Sequence, residues 1–120
     1  MSYRNDLLLI LKQSDALSEK IKEYELWVTG DGLGSVLENI EFCFSVREDT
    51  EEFVEFTSSF SRWDSTCKRV QKVVAFMNWL DSECLDKYYQ FLRLGDQLTD
   101  IEDRGLLAAY YVHRSFEPRF

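Results

Sequence analysis

A chain of 120 residues with 45% apolar and 15% aromatic residues is long enough to fold as one domain without a metal or a disulfide, and too apolar to be disordered. Its formal net charge of −8 excludes a binder of nucleic acid or anionic membrane that works through a basic field, and favours basic partners. The cysteines Cys43, Cys67 and Cys84 lack the paired spacing of a secreted disulfide framework, and the N-terminus has no signal-peptide pattern, so the expected setting is the cytoplasm.

In chain order, residues 4 to about 24 read as a first helix, with Leu7, Leu8, Leu11, Leu17, Ile21 and Tyr24 on one side. Lys12, Glu19, Lys20 and Glu23 form its solvated face, and the run Leu7 to Leu11 is too short to span a bilayer. Trp27 is expected to anchor the next stretch to the core, before Gly30, Gly32 and Gly34 make a flexible turn. Ser35 and Glu38 match a capping box, which predicts a second helix to about Arg47 with Val36, Leu37, Ile40 and Phe44 inward. Asp49 or Thr50 could cap a third helix, in which Phe53, Phe56, Phe60 and Trp63 fall at helical spacing. The rival reading of residues 39–60 is a β-hairpin, since Phe, Val and Thr are strand formers. Strict alternation fails across Val46 to Glu52, so helix is preferred.

The stretch Trp63 to Leu94 contains no Pro or Gly and repeats apolar residues at steps of three and four: Val70, Val73, Val74, Met77, Leu80, Cys84, Leu85, Tyr88, Tyr89 and Leu92. Phe76, Trp79 and Phe91 widen that stripe, as in a helix surrounded by others; Asp81-Ser82 is the place where it could divide in two. Gly95 reads as a helix stop. Thr99 and Glu102 form a second capping box, opening a last helix with Leu106, Leu107, Tyr110 and Tyr111 inward. Gly105 would mark a close crossing within that helix, and the chain would leave it at Pro118. The expected fold is all-α: one helical domain over residues 1–120, a compact bundle of five or six helices around a central helix 66–94.

Catalytic motifs are missing. Gly30 to Gly34 resembles a phosphate loop in composition only, because Asp31 sits inside it and no Lys follows. His113 is the only histidine, and beside Arg114 in a last helical turn it would simply meet the helix dipole. Cys67, next to Lys68 and Arg69, comes closest to a reactive thiol, although buried structural thiols are the better reading for all three cysteines. Glu51, Glu52 and Glu55 suggest a carboxylate metal site, but no Glu-x-x-His accompanies them. Lys68, Arg69 and Lys72 are the one basic cluster, read as a solvated face with Asp64 and Lys68 paired at i,i+4. No catalytic residue, cofactor or metal is therefore expected.

What remains is the acidic segment. Residues 31–65 hold nine acids and two bases, and most of the net charge of the chain. Glu38, Glu41, Glu48, Asp49, Glu51, Glu52 and Glu55 are either a solvated face or the surface that binds a basic protein. The second reading leads to an expectation of function: a small non-enzymatic inhibitor of the immunity-protein or antitoxin type, which neutralises a basic toxin domain such as a nuclease. The alternative is a phage-type nucleic-acid mimic that blocks a restriction or CRISPR enzyme. Neither reading involves contact with nucleic acid or membrane, and neither fixes the oligomeric state.

Overall fold

The computed structural model describes residues 5–28, 32–95 and 99–107. In chain order it contains β1 (Asn5–Lys12), α1 (Asp15–Trp27), α2 (Val36–Cys43), β2 (Val46–Asp49), β3 (Phe53–Ser61), α3 (Lys68–Ser82), a 3₁₀ turn at Asp86–Tyr88, β4 (Tyr89–Leu94) and β5 (Ile101–Gly105). The strands form one antiparallel sheet in the order β2-β3-β1-β4-β5.

One face of the sheet carries the core. Leu7, Leu9 and Leu11 of the central strand point to it, with Leu9 between Phe56 and Phe91, and Leu11 between Val54 and Tyr89. All three helices bury side chains against this face: Leu17 and Tyr24 from α1, Val36 and Ile40 from α2, and Val73, Phe76, Met77 and Leu80 from α3. Enclosing an aliphatic or aromatic side chain of this size contributes roughly 1.5–3 kcal/mol. Rings pack in series through the layer: Tyr24 lies 4.5 Å from Trp79, Phe44 6.1 Å from Phe56, and Trp63 5.2 Å from Phe91.

The all-α bundle is thus corrected to a mixed α/β fold, in which the described residues form three α-helices on one face of a five-stranded sheet. The expected first helix over 4–24 is a strand followed by a helix capped by Ser14, whose side chain accepts from Leu17 N. In β1 the core-facing leucines alternate with Leu8 and Ile10, which are themselves half-buried on the other face. A central strand apolar on both sides shows no period of two, and so imitates a helical run. The expected third helix over 50–63 is the β2–β3 hairpin, and the rival reading of residues 39–60 describes residues 46–60 correctly.

The central helix 66–94 also needs correction, since α3 stops at Ser82. Cys84 adopts a left-handed φ of 59°, Leu85 N donates to Leu80 O at 2.8 Å, and Cys84 N donates to Asp81 O at 3.3 Å. These paired bonds close a Schellman-type cap, with cysteine where glycine is usual. The chain then turns into β4, so Tyr89 and Phe91 face the core by strand alternation although Tyr88, Tyr89 and Leu92 mimic helical spacing. The second capping box is overturned as well: residues 101–105 form the edge strand β5, and Gly105 lies opposite Gln90. Its φ is +92°, and a Cβ there would strike the Tyr89 carbonyl, so the glycine serves close strand approach and no helix crossing. Tyr110, Tyr111, His113 and Pro118, assigned above to the last helix and its exit, lie outside the described residues.

Candidate functional site

The expected binding residues gather at one end of the sheet, where α2 leads into the edge strand β2. Ser35 caps α2 as predicted, accepting from Glu38 N at 3.1 Å. Val36, Asn39 and Ile40 face inward, which leaves Leu37, Glu38, Glu41 and Phe42 contiguous on the solvent side of the helix. Leu37, expected inside, is 41% exposed, and Phe42 is 65% exposed. The guanidinium of Arg69 lies over the Phe42 ring at 4.4 Å.

Strand β2 is short and exposed along its whole length. Its charges fall on both faces. On the helix side, Arg47 pairs with Asp49 at 2.8 Å and Glu41 at 3.4 Å, and stands 5.7 Å from the centre of the Phe56 ring. The hydrogen bond from Arg47 holds the Asp49 carboxyl below the ordinary carboxylate range. On the opposite face, Glu48 stands directly across from Glu55 on β3. Neither of these two side chains has an ion pair or hydrogen bond among the described residues. Glu51 and Glu52 occupy the exposed turn between the strands, which Gln13 fixes by donating to Thr50 O at 2.6 Å. The structure therefore brings Glu41 together with Asp49, and Glu48 with Glu55; Glu38 stands at the far end of α2.

Behind this edge, between α1, α2 and the sheet, is a cleft of about 200 Å³. Leu17 and Ile21 of α1, Val36 and Ile40 of α2, and Val54 and Phe56 of β3 make its walls, with Ser18, Leu37 and Arg47 also lining it. Sequence reasoning missed the cleft, the exposed apolar positions and the central place of Arg47. One signal was available for Phe42, which falls off the 36-40-44 apolar stripe.

Other polar groups are engaged structurally. Asn39 is fully buried and donates to Leu33 O at 3.1 Å and Ser35 O at 2.7 Å, while accepting from Arg69 at 3.2 Å. Lys72, nearly buried, donates to Gly34 O at 2.8 Å. The expected solvated face of Lys68, Arg69 and Lys72 is thus partly an internal clamp on the glycine turn. The cations meet carbonyl oxygens there, and Val36 N at the start of α2 is taken by Glu25 Oε1 at 2.7 Å, an arrangement opposite to a phosphate cradle. Trp27, expected to anchor to the core, is 80% exposed. Asp64 accepts from Thr66 N and Oγ1, a local turn in place of the expected pair with Lys68.

At the other end of the sheet, Tyr89 donates its hydroxyl to Asp81 at 2.7 Å, and Arg104 bridges Asp81 and Asn78. Burial and that bond push the Tyr89 hydroxyl well above its ordinary value, as suits a tie between α3 and β4. Among the described residues, no group of three His, Cys, Asp or Glu could hold a metal ion, and no helix is long and apolar enough to cross a membrane. No family model, curated protein or solved structure matches the chain.

Proposed function

We propose that the protein is a non-enzymatic binding inhibitor of the cytoplasm, covering the basic surface of a toxin domain in the manner of an immunity protein or antitoxin. A nuclease fits best, because its cleft for nucleic acid is basic. The observation that carries this reading is the direct opposition of Glu48 and Glu55 on an exposed edge hairpin. Like charges facing each other across two strands oppose folding, and no ion pair among the described residues offsets them. A basic partner would relieve that repulsion. Exposed Leu37 and Phe42 lie on the helix side of the same edge, beside Glu41 and Asp49, so a partner that wraps the edge strand would add apolar contacts there to the charges of Glu48 and Glu55 behind it. A nucleic-acid mimic fits less well: a four-residue strand spans only about 13 Å, and the carboxylates divide between two faces.

The test uses the partner captured from the native cytoplasm on the full chain, with affinity measured across a salt series. Glu48→Lys combined with Glu52→Lys should weaken binding by orders of magnitude and flatten its salt dependence, since disrupting a desolvated charge pair costs about 2–5 kcal/mol. Glu19→Lys combined with Glu23→Lys, on the exposed side of α1, should change little. A silent first pair together with a damaging second pair places the interface elsewhere.

A further inference from the structure

We propose that the cleft behind β2 seats one apolar side chain of the partner, presented by a basic segment whose cations meet the carboxylates of α2 and β2. This inference rests on the acidic surface being the binding face, and it adds the anchor. The cleft measures about 200 Å³, below the ~300 Å³ at which pockets for whole small molecules begin. It suits a Leu, Ile or Met side chain. Its walls are mostly aliphatic and aromatic, and the polar residues that also line it, Lys12, Gln13, Ser18 and Arg47, are exposed or half-buried and keep access to water, so filling it exchanges water for apolar contact at little polar cost.

The mouth tells what flanks the anchor. Arg47 stands there between two carboxylates, Glu41 and Asp49, and with Lys12, the other cation of the lining, these four charges balance. Glu51 and Glu52, in the exposed turn that Gln13 of the lining holds, make the surroundings of the mouth net negative. A small apolar anion would enter against this field; an anchor between lysines or arginines would enter with it. Gln13 ties the end of β1 to the acidic turn through Thr50 O, so this side of the mouth is held in place before any partner arrives. Exposed Leu37 continues the apolar surface out of the cleft onto α2. A pocket-filling anchor ringed by charged contacts is where binding energy concentrates in protein interfaces.

Two probe peptides test this, acetyl-Lys-Arg-Leu-Arg-Lys-amide and the same peptide with serine in place of leucine. They are titrated into the full chain carrying ¹³C-labelled Ile, Leu and Val methyl groups. The leucine peptide should bind at least about tenfold more tightly, as expected from burying one leucine side chain. It should shift the methyls of Ile21, Val36 and Ile40, whereas the serine peptide should perturb only the backbone amides of the acidic edge. Ser18→Phe, at an exposed position lining the cleft, should remove the difference by blocking entry and leave binding of the serine peptide unchanged. Equal affinities without shifts in the cleft overturn the anchor while the acidic surface stands. Binding of neither peptide overturns both. Stronger methyl shifts with octanoate than with the leucine peptide also overturn the anchor, giving the cleft to a small anion.

Discussion

Asn39 holds the turn before α2 to α3 with a side chain that has no access to water. Asn39→Ala should cost about 1–3 kcal/mol, because the carbonyls of Leu33 and Ser35 and the Arg69 guanidinium lose a partner in a site that excludes solvent. A lower urea midpoint with unchanged slope is the expected reading. The thiols differ in a comparable way. Burial, with smaller contributions from Cys67 raising it and Arg69 lowering it, pushes the Cys43 thiol from 9.0 up to about 11, while Cys84 is exposed. Alkylation requires the thiolate. At pH 8 iodoacetamide should therefore modify Cys84 and spare Cys43, as read by peptide mass mapping. A folded-state value above the unfolded one favours the native state below about pH 9, and this contribution is lost as pH rises toward about 11. Cys84 also sits in the left-handed region, so Cys84→Gly should raise stability by up to about 1 kcal/mol.

Among the elements, the β2–β3 hairpin sets stability against binding. Glu48→Lys replaces a like-charge pair with an opposite-charge pair across from Glu55, and should stabilise the fold by roughly 0.2–1 kcal/mol in thermal melts. The same change should weaken partner binding. Charge also protects the edge, since β2 leaves one side without a neighbouring strand. Glu48→Val with Asp49→Thr should therefore produce association that grows with concentration, visible by light scattering. Sequence alone made α2 and the body of α3 legible: Ser35 caps as its motif implies, and Val70, Val73, Met77 and Leu80 are buried at helical steps. The strands were hidden for physical reasons. Leu7 to Leu11 is apolar on both faces, and the phenylalanines of β3 fall three and four residues apart, which suits a helix and breaks strand alternation. The run from Lys68 to Leu94 crosses the cap at Cys84 without the usual glycine. The acidic residues could be chosen by composition, but their division into Glu41 with Asp49 and Glu48 with Glu55 required the strand register.

For the molecule as a whole, the charge is concentrated at one edge of the sheet and the framework around it is tied internally. At the opposite edge, Arg93 bonds to Asn5, Asp100 and Glu102, so those carboxylates have a cation that Glu48 and Glu55 lack among the described residues. This asymmetry gives the proposed partner a side from which to approach. The most direct measurement is photo-cross-linking in the native host cells with p-benzoylphenylalanine placed at position 42 on α2 or at position 101 on β5, both exposed. Position 42 should capture a basic protein, with capture suppressed by Glu48→Lys and Glu52→Lys, and position 101 should capture none. Cross-links that form only from position 101, or a product from position 42 that is acidic and insensitive to those reversals, would contradict a binding face at α2 and β2.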